Sequence, residues 1–181
     1  MAEFLKRNGN VRNLKVYKVA TIITVATEIF VRKFKSPYSR TVDQMQQAAR
    51  SCKQNIVEGS SAALTSKETE IKLTNVAKAS LEELYDDYLD HLKINSLEEW
   101  GLNHPRTSKL REYLKTSEFE NNYADLCRKL SDEEFCNLMI TLINQEIRML
   151  DGMIKAMQER FLKEGGIKEQ MTKARKATFK S

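Results

Sequence analysis

A chain of 181 residues with 41% hydrophobic and 30% charged side chains, interrupted by only two prolines and six glycines, fits one helix-dominated domain with a sizeable core and excludes a disordered polymer. The longest uncharged run in the first apolar segment is the nine residues between Lys18 and Glu28, far short of the roughly 20 that a membrane span requires. The charged opening MAEFLKRNGN does not read as a secretion signal, so a cytoplasmic protein without a membrane partner is expected. The net charge of +5 is unevenly spread: residues 1–20, 28–53 and 163–181 carry +4 each and the remainder −7, which predicts one basic and one acidic surface.

In chain order, apolar residues at Val16, Ala20, Ile23, Phe30 and Phe34 keep helical spacing and predict a first helix from about Asn13 to Lys35, ended by Ser36-Pro37. A second stripe, Val42, Met45, Ala49, Cys52, Ile56, Ser60 and Ala63, follows Thr41 and Gln44, which have the spacing of a capping box. Thr65 and Glu68 repeat that spacing ahead of a third helix reaching about Ile94. Between Asn95 and Leu130 the pattern degrades around Trp100-Gly101, His104-Pro105 and Asn121-Asn122, predicting a long connection with one or two short helices, Ser108 to Leu114 among them. Ser131 and Glu134 then open the longest helix, stopped by Gly165-Gly166. Its end should project beyond its shorter neighbours. The expected fold is all-α: an antiparallel up-down four-helix bundle over 1–165, with short extra helices in an insertion at 95–131 and a basic C-terminal extension at 166–181.

Catalytic and metal chemistry find little support. Glu83, Asp87 and His91 share a helix face, but no Glu-x-x-His motif and only two histidines accompany them, so no metal and no cofactor are expected. Cys52, Cys127 and Cys136 are odd in number, lack a C-x-x-C pair and read as buried, reduced thiols. Nucleotide-binding glycine loops are absent, and the protein is not expected to be an enzyme. The polar trio Asn55, Glu58 and Gly59, set among Ala48, Ala49, Cys52 and Ile56, is read together with Ser80 and Glu83 as a polar network fixing the register of helix two on helix three, Gly59 permitting close contact or a bend. The alternative is that Asn55 and Glu58 face a binding groove.

The same residues carry a resemblance. Gln44-Met45, Ala48-Ala49, Ser51 and Asn55-Ile56-Val57-Glu58-Gly59, followed by Ala77, Ser80-Leu81 and Glu83-Leu84, resemble the bacterial four-helix-bundle family of 23S rRNA intervening-sequence proteins, over residues 12–95 and helix four. Phe161 through Gly166, with Glu169 and Arg175, looks like the suffix segment of a longer branch. Gln47, Cys52, Ala63 and Leu64 depart from the family pattern, which has Arg, Ile and a basic residue there. The resemblance implies homo-oligomeric rings, commonly pentamers, and a similarity to the accessory variability proteins of diversity-generating retroelements, which bind nucleic acid and a reverse transcriptase.

Two functions are therefore expected to compete. One is a non-enzymatic, oligomeric nucleic-acid-binding accessory protein, assisting a reverse transcriptase and its RNA. Its phosphate contacts are expected at Lys6, Arg7, Arg12, Lys15 and Lys18, at Arg32, Lys33, Lys35 and Arg40, and at Lys173, Arg175 and Lys176. The other is a scaffold whose projecting fourth helix, with Met139, Met149, Met153 and Met157, binds a partner protein instead.

Overall fold

The computed structural model describes residues 10–36, 38–101 and 103–178. Seven α-helices occur among them and no strand: α1 (Lys15–Phe34), α2 (Arg40–Ala62), α3 (Lys67–Ile94), α4 (Pro105–Tyr113), α5 (Ser117–Lys129), α6 (Asp132–Glu164) and α7 (Ile167–Thr178). Lys6, Arg7 and Pro37 lie outside the described residues. No described helix is long and apolar enough to cross a membrane.

The helix α1 is rich in β-branched Val, Ile and Thr, which have modest helix propensity, so burial holds it: Val16, Val19, Ala20, Ile22, Ile23, Ala26, Phe30 and Val31 are all buried. Two of the three expected caps move. Ser39, whose side chain makes no capping bond, precedes α2 in place of Thr41. Ser66 caps α3 in place of Thr65, its hydroxyl accepting the Thr69 N–H at 3.1 Å. At α6 the capping box forms as spaced: Ser131 Oγ accepts from Glu134 N at 3.3 Å, and the Glu134 carboxylate accepts from Ser131 N at 3.1 Å. Gly165 ends α6 at φ +75° and ψ 177°, a backbone conformation that L side chains rarely adopt, so a glycine suits the turn between α6 and α7.

Four helices close a cycle, α1 on α2, α2 on α3, α3 on α6 and α6 on α1. Direct contacts give their directions. Thr24 bonds the Ala49 carbonyl and Glu28 accepts from Gln46; Ser51 meets Ser80 while Gly59 lies against Glu70; Lys78 pairs with Asp151 while Lys67 pairs with Glu164. Ascending numbers meet descending ones each time, so successive members are antiparallel. At one end of the cycle Phe30 gathers Phe34, Tyr88, His91 and Phe135 at centroid distances of 4.8 to 5.3 Å, and Tyr88 donates to Thr27 at 3.1 Å.

The connecting region is more ordered than its sequence suggests. His104 Nδ1 accepts from Arg106 N at 3.2 Å and Pro105 takes the first turn, so α4 begins three residues before Ser108. Asn121 and Asn122 sit inside α5, which packs on α1 through a stripe that includes the buried Phe119 and Cys127. At 1.5 Å per residue α6 is about 50 Å long and α1 about 30 Å, so the last turns of α6 extend past the start of α1.

Candidate nucleic-acid interface

Of the twelve cations singled out in the sequence, the ten among the described residues fall into environments of different kinds. Arg12, Lys15 and Lys18 stand exposed where α1 begins, Arg12 within a 3-10 turn capped by Asn10. Lys173, Arg175 and Lys176 are exposed on α7, which follows the end of α6 after two glycines. The helix α6 runs antiparallel to α1 and continues past its start, so the chain enters α7 beyond the level at which α1 begins, and both groups lie toward the same end of the bundle. None of these six makes an ion pair among the described residues.

At the opposite end Arg32 and Lys33 are engaged, whereas Lys35 and Arg40 make no ion pair or side-chain hydrogen bond among the described residues. Arg32 pairs with Glu28 at 2.6 Å, and Glu28 also accepts from Gln46. Lys33 donates from Nζ to the carbonyl of Arg128 at 2.9 Å and to that of Leu130, and sits 4.8 Å from the Phe34 ring centroid. It closes the C-terminus of α5, where carbonyls lack helical partners. Lys35 is half-buried, and its charge pulls the carboxyl of Asp87 and the imidazole of His91 downward. Arg40 lines a groove of about 690 Å³ between α2 and α3 whose other charged residues are Asp43, Glu83, Asp86 and Asp87. Burial, then the neighbouring carboxylates Asp90, Glu83 and Asp86, push the Asp87 carboxyl up against the pull of Lys35.

The floor of that acidic groove explains the polar trio. Asn55 Nδ2 donates to the Ser51 carbonyl at 2.9 Å and to Ser51 Oγ at 3.2 Å; Ser51 and Ser80 hydroxyls meet at 2.9 Å; Ser80 donates to the Val76 carbonyl at 3.1 Å. With Ser80 donating to Val76, Ser51 donates to Ser80 and accepts from Asn55, so one direction satisfies the whole chain across α2 and α3. Ser51 and Ser80 also line the groove, so the network and the groove are one feature. Glu58 and Glu83 take no part: both are exposed and make no hydrogen bond among the described residues. Gly59 is buried where α2 approaches α3, 3.4 Å being the distance from an added Cβ to the Glu70 carbonyl. That is close packing without a clash, and α2 continues unbroken through it.

Other cations and one anion escaped the sequence reading. Gln46 and Ala49 face α1, and at 100° per residue Lys53 falls on that flank, while Arg50 stands between it and the edge of the acidic groove at Asp43. Glu146 is fully buried in α6 with neither carboxylate oxygen hydrogen-bonded, and burial raises its carboxyl to about 9 against a weaker downward pull from Lys15. His91 Nε2 lies 3.6 Å from Asp132 Oδ2, too far for a hydrogen bond, and burial lowers its imidazole. Cys52, Cys127 and Cys136 are all buried, and burial holds Cys127 and Cys136 up at about 12, so the thiolate needed for nucleophilic attack is suppressed. Among the described residues no group of three or more His, Cys, Asp or Glu is arranged to hold a metal ion.

Comparison with protein-family models, with curated proteins and with solved structures finds no match to this chain.

Proposed function

We propose that the protein is a non-enzymatic, cytoplasmic, homo-oligomeric nucleic-acid-binding accessory protein, built on an antiparallel up-down four-helix bundle and assisting a reverse transcriptase and its RNA. The observation that carries this reading is the set of unpaired cations at one end: Arg12, Lys15 and Lys18 with Lys173, Arg175 and Lys176. Cations held by a carboxylate or a carbonyl, as Arg32 and Lys33 are, gain less from a phosphate than free ones, Lys35 is half-buried and Arg40 stands beside the carboxylates of the acidic groove, so the surface carrying Arg12, Lys15 and Lys18 with the α7 cations is favoured for phosphate contact. The absence of an aromatic platform among these residues favours backbone contact over base reading. A ring of five copies, as the family resemblance implies, multiplies that charge. RNA affinity measured across a salt series tests the reading. The expected result is a steep loss with salt, made shallower by Arg12→Gln with Lys18→Gln; no binding at low salt by the assembled protein overturns it.

A second reading, a protein scaffold, is supported by a groove of about 520 Å³ lined by Leu14, Ser60, Met153, Ala156, Met157 and the ion-paired Glu70 and Arg160. It opens where α6 runs past the start of α1 and its walls are largely apolar, as a site for a partner's helix requires. Pull-down of a defined partner lost on Met153→Glu, with RNA binding absent, is the outcome that selects it.

A further inference from the structure

The connection between α3 and α4 is bolted to α6 by buried polar groups that the proposed function does not use. Asn137, 1% exposed, donates to the Glu98 carbonyl at 2.8 Å and accepts from Trp100 N at 2.7 Å. The carboxylate of Glu133 accepts from Glu98 N at 3.1 Å and from the Trp100 indole at 3.3 Å. Thr107, 4% exposed, donates to the Gly101 carbonyl at 2.9 Å, and Gln145 donates to the Arg111 carbonyl at 3.2 Å. These bonds fix the walls of a pocket of about 100 Å³ between this segment, α3 and α6. A pocket of this size suits a small polar group such as a single tetrahedral oxyanion better than a large ligand.

The lining chemistry agrees with the size. Arg111 and Arg148 both line the pocket, and neither forms an ion pair among the described residues, unlike Arg32, Arg128 and Arg160. Asn144 lines it with its amide unengaged among those residues. Glu99 is the one carboxylate in the wall, so cations outnumber anions two to one. Guanidinium forks and a neutral amide donor on a preformed frame are the donor set that recognises phosphate.

We propose that this pocket is a binding site for a phosphate group, carried by a small phosphomonoester, by inorganic phosphate or by the terminus of a nucleic acid. The proposal does not rest on the phosphate-contacting end described above, which lies elsewhere on the molecule. The test is thermal unfolding of the full chain at constant ionic strength with inorganic phosphate replacing chloride. At phosphate tenfold above its Kd the midpoint should rise by roughly 3 °C. The rise should vanish in Arg148→Gln, whose exposed side chain is not needed for packing, and in Arg111→Gln. RNA oligonucleotides with and without a 5′-phosphate separate the sources. A preference for the phosphorylated oligonucleotide that disappears in Arg148→Gln assigns a nucleic-acid terminus; RNA binding indifferent to both, with the phosphate effect lost, assigns a free phosphate compound. An equal midpoint in chloride and phosphate, or a rise that persists in both variants, overturns the proposal. The terminal cation set is probed at Arg12 and Lys18, so either idea can fail without the other.

Discussion

Glu146 occupies a position where α6 should carry a hydrophobe, three residues after Ile143 and four before Leu150, both buried. The chain therefore folds with an acid in its core, and burial raises that carboxyl from 4.5 to about 9, Lys15 opposing weakly. Between those values the folded chain keeps a proton that the unfolded chain has released. Its contribution to stability is thus fully present below 4.5, falls by up to about 1.4 kcal/mol per pH unit as pH rises, and levels off near 9. Glu146→Gln should match the native protein at pH 4 and exceed it by a few kcal/mol at pH 8, as read from urea denaturation at both pH values. Parallel stability curves for the two proteins would show that water or a rearrangement satisfies the charge. The signal was present in the sequence, since Met139, Ile143, Glu146 and Leu150 keep one helical stripe, but a glutamate in a charged helix reads as solvated until burial is known. The polar trio was half legible for a similar reason. Asn55 lies four residues after Ser51 and so meets its hydroxyl and carbonyl, whereas Glu58 falls on the exposed flank.

At the scale of elements, periodicity located α1, α2, α3 and α6 to within a few residues because their apolar stripes are long. The short helices were not legible in the same way. In α5 the pair Asn121-Asn122 reads as a breaker, yet Phe119, Tyr123 and Cys127 keep a four-residue spacing that packs the helix on α1, and tertiary burial overrides local propensity. Its C-terminus depends on a residue far away in sequence: Lys33, read from charge alone as a phosphate contact, bonds the carbonyls of Arg128 and Leu130. Only a structure joins positions about 95 residues apart in this way. Lys33→Met keeps the aliphatic stem and removes the donor. It should cost roughly 0.5–1.5 kcal/mol in stability and speed hydrogen exchange in the last turn of α5, leaving the salt dependence of RNA binding as it was. A flattened salt dependence with native exchange rates would instead return Lys33 to the phosphate-contacting set.

At the scale of the whole molecule, the sum of +5 conceals a separation that the sequence suggested only as segments. Six cations free of ion pairs among the described residues lie toward the end where α1 begins and past which α6 runs, while Asp43, Glu83, Asp86 and Asp87 face the groove between α2 and α3. The basic C-terminal extension adds to the first pole as α7, which makes no extended packing with any other helix among the described residues, so its charges act without supporting the core. That independence permits a clean experiment. Replacing Lys173, Arg175 and Lys176 together with Gln lowers the net charge from +5 to +2 and removes no buried contact. The midpoint of thermal unfolding should therefore stay within about 2 °C of native. If the three side chains each meet a phosphate of single-stranded RNA, the slope of log affinity against log salt should fall in magnitude by about 2, at roughly 0.7 per contact. An unchanged slope would confine the phosphate contacts to Arg12, Lys15 and Lys18 and leave α7 free for a different partner. A loss of binding far beyond the slope change, accompanied by a smaller mass in solution, would mean that α7 holds copies of the chain together and that RNA is read by the assembly rather than by the single subunit.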